Sequence, residues 1–471
     1  MGKCILIFLG CMPIFIWSVL VVGCQPLDDS SPNGGQIEGG TDSGGDSDGD
    51  SDTDSDTDTD TDSDGDADFD RNGCDDGIWE GIFAVGISPD VKIADCREIV
   101  GDLLIVNSAL TDLEQFQGIE TVGGDVLIGG NQHLGQIEGL RSLTKIGGGL
   151  YIGSEPQGMN YDSYEIIRNI DTLENPELQS LNGLEGIAAL DNLVVANNSK
   201  LQNLEGLSGL TNLDVLIVEN NASLNSLKGL EGLTAAGNIY IRNNPLVKDF
   251  TGLNSLAHID SILAFSQTGG GLTSTTGLEN LETVDDYLAL SYVPYADDST
   301  VIRNHLVNLE GLHSLKFAGE LTVASDALES LSGLENLQQV DTLLLGNCAD
   351  NCDDLGCDSS QADLCAGVPN LADLSAISGV NARRISIREN KMMTNLDWAA
   401  SIEGLEVLEL GYFSEYVYPP AGGCLGVTNV DALTQMDDLQ TFRALNIAFD
   451  GKLPLADDSD VYAELIYDTA P

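Results

Sequence analysis

Residues 190–233 read LDNLVVANNSKLQNLEGLSGLTNLDVLIVENNASLNSLKGLEGL, and within this stretch one pattern occurs twice in succession. Each copy contains Leu-x-Val, then Asn three residues later, then Leu-x-x-Leu-x-Gly-Leu-x-x-Leu. The glycine of this pattern recurs every 23 residues, at Gly183, Gly206, Gly229 and Gly252. A fixed period of this length is typical of a solenoid, in which each unit packs only against its neighbours.

Short aliphatic triplets recur in phase with these glycines and predict one β-strand in each unit. Their β-branched and aliphatic residues favour a strand over a helix, and Gly or Asp, which are turn-forming residues, usually precedes them. The triplets cover residues 103–105, 126–128, 150–152, 193–195, 216–218, 239–241, 262–264, 288–290, 321–323, 343–345, 385–387 and 408–410. We therefore predict a solenoid of about a dozen coils.

An asparagine follows many of the triplets at a constant distance. These residues are Asn131, Asn175, Asn198, Asn221, Asn244 and Asn390, of which Asn175 is placed by the leucine and glycine that follow it. A polar side chain that is buried in successive coils must satisfy backbone groups. We therefore predict a structural ladder that bonds the turns of neighbouring coils; a row of ligand-binding amides is the alternative.

These units resemble leucine-rich repeats, and still more the receptor L-domain, whose coils read much like Gly-Asp-x-Leu-x-Ile-x-x-Asn-x-x-Leu-x-x-Leu-x-Gly-Leu-x-x-Leu. The match is best at residues 124–146 and 178–256 and continues with gaps to residue 410. The resemblance implies a mainly β, right-handed β-solenoid of leucine-rich-repeat or receptor L-domain type, which binds a ligand outside the cell.

Three intervals between pattern glycines are longer than one repeat and predict insertions, which often lie on a binding face. They extend from Gly139 to Gly183, from Gly277 to Gly311 and from Gly333 to Gly379. Because insertions interrupt regular stacking, the solenoid predicted for residues 97–410 is either one array or two lobes. The domain layout adds a Cys-rich insertion at residues 346–370 and a C-terminal repeat remnant and cap at residues 411–471.

Residues 1–23 are predicted to be a signal peptide and take no part in the fold. Residues 5–22 are almost wholly apolar, and Gly23 directly precedes Cys24. This junction resembles the lipobox of bacterial lipoproteins, in which the cysteine becomes the lipidated first residue. Because Gln25 rather than Asp follows the cysteine, the resemblance implies an outer-membrane lipoprotein that faces the cell exterior. A membrane-spanning anchor is the alternative.

Residues 24–73 comprise the lipidated cysteine and an acidic linker. Fourteen aspartates and no basic residue lie between Asp42 and Asp70. Such a segment cannot bury apolar surface and is predicted to be a disordered stalk. The fragment at residues 60–65 is similar to the start of an EF-hand loop, but Arg71 occupies the position of its final carboxylate. We predict no cofactor and no defined metal site, with weak Ca²⁺ binding by the linker as the alternative.

Charge and the distribution of reactive side chains exclude two classes of function. The 471 residues include 76 acidic and 19 basic ones, for a net charge of −57, which disfavours nucleic acid as a partner. The four histidines, His133, His258, His305 and His313, lie in different units without a nucleophile pattern beside them. No carboxylate pair stands out for acid and base roles. We predict no catalytic residues and no enzymatic activity.

The cysteines predict disulfides rather than a metal site, because exported proteins meet oxidising conditions. Cys74 and Cys96 bracket a short apolar segment, so a disulfide between them would pin an N-terminal cap at residues 74–96; two free thiols are the alternative. Four more cysteines form a cluster: Cys348, Cys352, Cys357 and Cys365. Their spacing differs from common zinc knuckles and allows three disulfide pairings. Cys424 is then a free thiol or the partner of one of them.

The middle residue of each triplet is predicted to point away from the solenoid interior, because side chains alternate along a strand. The N-terminal members of this set are Leu104, Leu127, Tyr151, Val194, Ile217, Tyr240 and Leu263. A solvated sheet face would not favour such a row of apolar residues, so we predict a ligand-contact stripe. The alternatives are that a loop or a second lobe covers it, or that it reflects strand propensity alone.

These observations favour a non-catalytic, cell-surface lipoprotein. Its solenoid is predicted to recognise or adhere to an extracellular protein or glycan, and its lipid anchor to hold it on the membrane. A structural envelope protein without a specific ligand is the alternative, and a polysaccharide-active β-solenoid enzyme is a further one.

Overall fold

The computed structural model describes residues 74, 76–85, 93–154, 173–266, 271–290, 304–348, 365–411, 424, 426–445, 453–454 and 462–466. The chain divides into two units, Met1–Ala67 and Asp68–Pro471, and all described residues belong to the second. The predicted signal peptide, the lipidation site at Cys24, and the acidic linker with its calcium-like fragment lie outside the described residues.

The described chain is built from short β-strands connected by turns. The strands are β1 (Ile78–Trp79), β2 (Phe83–Ala84), β3 (Glu98–Ile99), β4 (Leu103–Val106), β5 (Thr121–Val122), β6 (Val126–Gly129), β7 (Lys145–Ile146), β8 (Leu150–Ile152), β9 (Ala189–Ala196), β10 (Asn212–Glu219), β11 (Ala235–Arg242), β12 (His258–Ser266), β13 (Thr283–Ala289), β14 (Phe317–Val323), β15 (Gln339–Leu345), β16 (Asn347–Cys348), β17 (Cys365–Ala366), β18 (Asn381–Ile387), β19 (Val407–Leu410), β20 (Thr441–Leu445) and β21 (Tyr462–Ile466). Short 3₁₀-helices cover Ile93–Asp95, Glu114–Phe116, Glu138–Leu140, Glu205–Leu207, Glu310–Leu312, Ser375–Ile377, Ala399–Ser401 and Asp431–Gln435.

Fifteen of these strands form one parallel sheet, in the order β2-β4-β6-β8-β9-β10-β11-β12-β13-β14-β15-β18-β19-β20-β21. Each coil therefore adds one strand beside the strand of the preceding coil, and the predicted mainly β solenoid of leucine-rich-repeat type is confirmed. The sheet is continuous, so the strands belong to one array rather than two lobes. It also extends past residue 410, because β20 and β21 continue the ladder.

The first coils carry a second, four-stranded sheet of β1, β3, β5 and β7, which paired glycines separate from the large sheet. A Cβ at Gly123 would lie 2.1 Å from the carbonyl oxygen of Val100, so only glycine fits this corner. The carboxylate of Asp102 accepts a hydrogen bond from the backbone N–H of Asp125, at 2.8 Å. In turn, the carboxylate of Asp125 accepts from Gly149 at 2.6 Å. The carboxylates of Asp102 and Asp125 thus connect neighbouring coils at this corner.

The leucines of the repeat form the solenoid core. In the coil that follows β9, Leu201, Leu204, Leu207 and Leu210 are all fully buried. A disulfide between Cys74 and Cys96 is present at the N-terminal end, with 5.2 Å between the Cα atoms. Beside it the rings of Trp79 and Phe83 pack edge to face, as do those of Phe83 and Phe116. These aromatic contacts cover the apolar end of the first coils.

The turns between the ladder residues and the next strand follow two patterns, which differ in the position of one glutamate. Where Glu precedes the pattern glycine, as in Glu205-Gly206, the pair begins a 3₁₀-helix. Where Glu follows two residues later, as in Gly229-Leu230-Glu231, the glycine has a φ of +115°. Its N–H then donates to the Glu231 carboxylate at 2.8 Å. The position of the glutamate therefore distinguishes the two turns.

Five of the six predicted asparagines form a continuous, fully buried ladder. The backbone N–H of Asn131 donates to Asn175 Oδ1, and Asn175 Nδ2 donates to Asn198 Oδ1. The backbone N–H groups of Asn198 and Asn221 donate to Asn221 Oδ1 and Asn244 Oδ1, respectively. These four hydrogen bonds are 3.0–3.2 Å long, and all five side chains are fully buried. Each amide also donates to a backbone carbonyl near the end of a strand, as Asn221 Nδ2 does to Val195 at 2.9 Å. Within this part of the chain the amides serve the backbone rather than a ligand.

The residue before several ladder asparagines is itself an asparagine with a left-handed backbone. Asn197, Asn220 and Asn243 have φ values of 58°, 57° and 50°. Asn tolerates this conformation better than most residues, because its short polar side chain forms local hydrogen bonds. The Asn-Asn pairs in the sequence therefore combine two roles: the first residue turns the chain, and the second joins the ladder.

The ladder position recurs beyond Asn244, at Asn390, which the sequence predicted, and at Asn304 and Cys424, which it did not. Asn304 Oδ1 accepts from the N–H of Leu272 at 2.8 Å, and Asn390 Nδ2 donates to Val368 O at 3.0 Å. Cys424 is a free, buried thiol whose Sγ donates to Ile387 O at 3.5 Å and accepts from the N–H of Asn390. Burial raises the pKa of this thiol to about 12. Cys424 is thus a ladder residue.

Several segments outside the described residues follow strand ends at one edge of the large sheet. The segments 155–172, 291–303, 349–364 and 412–423 follow the carboxyl ends of β8, β13, β15 and β19. All strands of this sheet are parallel, so these ends lie along the same edge. At β15 the insertion begins and ends as the antiparallel pair β16–β17, which places Cys348 opposite Cys365. Cys352 and Cys357 lie outside the described residues, and the pairing predicted for the cysteine cluster stays a prediction.

Candidate recognition surface

The outer face of the large sheet carries a central column with one residue from each of its thirteen strands from β4 to β20. In register along this column lie Leu104, Leu127, Tyr151, Val194, Ile217, Tyr240, Ala264, Ala289, Thr322, Leu344, Ser386, Glu409 and Arg443. Adjacent strands are about 4.8 Å apart, so neighbouring side chains in the column touch one another. The character of the column changes along the solenoid, from apolar through mixed to charged.

The N-terminal part of the column is buried and does not form the exposed stripe that the sequence predicted. Leu104, Leu127, Tyr151 and Val194 are only 1–5% exposed and belong to an apolar cluster that also contains Leu173. The side chain of Leu173 lies over the backbone of β6, and a Cβ at Gly129 would meet it at 2.8 Å. These four residues therefore stabilise the fold and offer little surface to a partner.

Leu263 was assigned to this column from the sequence, and that assignment is wrong. Leu263 is fully buried in the solenoid core, where it pairs with Ile239 of β11, and Ala264 takes the place beside Tyr240. The cause is one extra residue in β12, which shifts the register between β11 and β12. A shift of one residue moves every later side chain to the opposite face of the strand.

The central part of the outer face carries half-buried apolar side chains. We define the central patch as Val215, Ile217, Tyr240, Arg242 and Ile262 on β10–β12, all of them half-buried. The guanidinium carbon of Arg242 lies 4.6 Å from the centre of the Tyr240 ring. Its Nη1 is 3.8 Å from the carboxylate of Glu219 on β10. Burial raises the pKa of the Tyr240 hydroxyl, and the nearby Arg242 charge opposes this shift.

The C-terminal part of the outer face is charged. We define the arginine cluster as Arg384 and Ser386 of β18, Arg388 directly after this strand, Glu409 of β19 and Arg443 of β20. Glu409 is buried and lies 2.6 Å from Arg384 Nη2 and 3.7 Å from Arg443 Nη1. We did not predict this cluster from the sequence. The spacing of Arg384, Ser386 and Arg388, two residues apart each time, is the signal that places them on one face.

A cavity of about 460 Å³ lies between two successive turns, away from the large sheet. Its lining includes Asp373, Met392, Asp397 and Trp398, and no lining residue belongs to a strand. Trp398 Nε1 donates to Met393 Sδ at 3.2 Å. A hydrogen bond from Ser375 holds the pKa of the Asp373 carboxyl below its usual value. This cavity is separate from the central patch.

Two histidines of the described residues, His258 and His305, lie beside surface carboxylates. His258 Nε2 is 2.8 Å from the carboxylate of Asp260, and His305 Nδ1 is 3.0 Å from that of Asp326; all four side chains are on the surface. In the described part of the chain no group of three or more His, Cys, Asp or Glu side chains is placed to hold a metal ion. The same part contains no helix long and apolar enough to cross a membrane.

Comparison with known proteins places the likeness at the level of the fold. No protein-family model and no curated protein matches the chain. Among solved structures, TLR13 in its complex with ssRNA13 is similar at 14% identity, with a TM-score of 0.32 over 79% of this chain and 55% of that one. A leucine-rich-repeat protein of Leptospira interrogans is similar at 15% identity, with a TM-score of 0.23 over 74% and 91%. This chain spans about half the length of the TLR13 chain.

Proposed function

We propose that this protein is a non-catalytic recognition protein of the bacterial cell surface. A lipid on Cys24 holds it on the outer membrane, the acidic linker extends it outward, and the solenoid binds an extracellular protein or glycan. The resemblance of residues 21–24 to a lipobox supports the anchor, and the leucine-rich-repeat fold supports recognition. The proposal competes with a structural envelope protein that has no specific ligand.

The central patch is the observation that carries the proposed recognition role. It combines three aliphatic side chains with the stacked pair Tyr240 and Arg242, and it lies half-buried in the middle of a sheet face. Tyr and Arg are enriched among residues that dominate binding energy, and such residues occupy the centre of an interface. A long row of parallel strands also presents these groups on a rigid support, so little ordering is needed on binding. The patch favours a protein partner over a glycan.

Binding is tested by replacing Ile217 and Tyr240 together with Ser. Arrays of extracellular proteins and of glycans are probed with the full chain, and the ligands that the native protein retains are measured again with the variant. We expect at least about a tenfold loss of affinity, because truncating central interface residues typically costs more than 1 kcal/mol each. Leu246→Ser is the matched control, since Leu246 is an exposed leucine outside the sheet.

The comparison with Leu246→Ser separates recognition from the structural alternative. Retained ligands that bind the double variant and the control equally well would exclude the central patch as the contact surface. An unchanged thermal unfolding midpoint in both variants shows that the fold is intact. If neither array yields a ligand that the native protein retains, the structural envelope protein becomes the better description.

Surface display is tested separately, with protease added to whole cells of a double-membraned bacterium that express the full chain. We expect release of fragments from residues 74–471, because the proposed anchor and linker lie N-terminal to them. Replacing Cys24 with Ala is expected to move the protein from the membrane fraction to the soluble fraction, since the acyl chains supply the anchoring energy. Complete protection of the native chain from the protease would contradict display.

A further inference from the structure

The arginine cluster concentrates positive charge on the outer sheet face of a strongly acidic protein. Arg384 and Ser386 occupy alternate positions of β18, and Arg388 directly follows this strand, so their side chains project from the same face. Ser386 lies between Leu344 and Glu409 in the central column. The Glu409 carboxylate accepts a short hydrogen bond from Arg384 and lies beside Arg443. This carboxylate thus lies between two guanidinium groups.

Two donors in this cluster have no acceptor among the described residues. Ser386 is only 1% exposed, and its hydroxyl has no hydrogen-bond partner there. The Nε of Arg384 is buried and likewise has none. Buried polar groups are nearly always paired, and each exception calls for an explanation, such as a bound ion.

The rim of the cluster is open to solvent. The side chains of Arg384 and Arg443 keep 38% and 30% of their surface exposed, whereas that of Glu409 keeps 7%. Both donors are buried, so a small group reaches the Ser386 hydroxyl and the Arg384 Nε when the exposed ends of the Arg384 and Arg443 side chains move apart. An oxyanion supplies acceptors to both donors, and arginine forks match its geometry.

We propose that the arginine cluster is a binding site for a single oxyanion group, a carboxylate or a sulfate, with Arg384 and Ser386 as direct donors. The net charge of −57 argues for a small ligand, because long-range repulsion opposes the approach of a dense polyanion. A free anion and a sugar acid share this chemistry. The site lies on the same sheet face as the central patch but does not rest on the recognition function proposed for that patch.

The test measures anion affinity of the full chain by titration calorimetry with sodium acetate, sodium sulfate and sodium glucuronate, at constant ionic strength against chloride. Ser386→Ala is expected to weaken binding at least about threefold, and Arg384→Gln about tenfold or more, as the loss of a neutral and of a charge-assisted hydrogen bond predicts. Ser386→Ala should leave the thermal unfolding midpoint unchanged, because the hydroxyl has no partner among the described residues. A merely structural serine would not affect anion affinity.

Arg383→Gln is the matched control, since it removes the same charge one residue away, where Arg383 forms an exposed ion pair with Asp341. We expect this variant to retain the native anion affinity. The central-patch variant Ile217→Ser/Tyr240→Ser should retain it too, so this test is independent of the recognition test. Tighter binding of glucuronate than of acetate supports the site and identifies a sugar acid; equal binding supports it and identifies a free anion. The proposal is overturned if no anion binds better than chloride, or if Ser386→Ala and Arg384→Gln bind as well as Arg383→Gln.

Discussion

Replacing Gly206 with Ala is expected to lower the free energy of unfolding by about 3 kcal/mol or more, because the new methyl group would overlap the backbone of the preceding coil. A Cβ at this position would lie 1.8 Å from the carbonyl oxygen of Leu181 and 2.1 Å from its carbon. Neither atom can rotate away as a side chain would. The coil of Leu181 is itself packed against further coils, so relief requires a shift through the stack. The midpoint of urea unfolding of the full chain measures the effect.

Gly379→Ala provides the control for this prediction. Gly379 has a left-handed φ of +78°, but a Cβ there would meet nothing within 4 Å. Its replacement should therefore cost only the conformational strain, about 1–2 kcal/mol. Gly206 has no such backbone requirement, so its expected cost is steric alone. A smaller loss of stability for Gly206→Ala than for Gly379→Ala would show that the coils are not held at this spacing.

The repeat made the fold predictable, because the same residue types occupy equivalent packed positions in successive coils. Gly206 and Gly229 recur where two backbones approach, and Asn198 and Asn221 recur where backbone groups need buried partners. The period of 23 residues reports the number of residues in one coil, so both roles follow from it. The Asn-Asn pairs and the position of Glu beside the pattern glycine carry further detail that was present in the sequence but was not interpreted.

The predictions were less successful where a coil departs from this length. The extra residue in β12 moved Leu263 into the core, and neither its hydrophobicity nor its neighbours distinguish it from an outward-facing leucine. The insertion after β13 lengthens the interval between this strand and Asn304. The constant spacing therefore did not predict Asn304 as a ladder residue. Burial of Tyr151 depends on Leu173 and other residues far along the chain, and strand alternation alone does not contain that information.

The residues of the outer face differ along the solenoid, because packing between coils does not determine their side-chain chemistry. Interior positions must be leucine-like to stack, whereas the central column varies from Tyr240 through Thr322 to Glu409 without loss of the fold. Such variation on a rigid support is what a surface needs in order to acquire specificity. The central patch and the arginine cluster are therefore the parts of the solenoid whose residues packing does not explain.

The largest polar effect is expected from Asn221→Leu, which should lower the free energy of unfolding by about 3 kcal/mol or more. The side chain of Asn221 is fully buried and accepts from the N–H of Asn198 at 3.0 Å. It also donates to Val195 O at 2.9 Å and to Asn244 Oδ1 at 3.2 Å. Leucine is similar in volume but bonds none of these groups, so a buried N–H and a buried carbonyl lose their partners. The measurement is the urea unfolding midpoint of the full chain.

Asn221→Cys tests whether hydrogen bonding, rather than shape, explains that loss. Cys424 occupies the same ladder position in a later coil, where its thiol donates to Ile387 O and accepts from the N–H of Asn390. A cysteine at position 221 should therefore restore part of the stability lost in Asn221→Leu, despite its smaller volume. Asn225→Ala, on the exposed surface of the same coil, should change stability by about 0.5 kcal/mol or less. If Asn221→Cys is no more stable than Asn221→Leu, the ladder stabilises the coils by packing, and its recurrence every 23 residues needs another explanation.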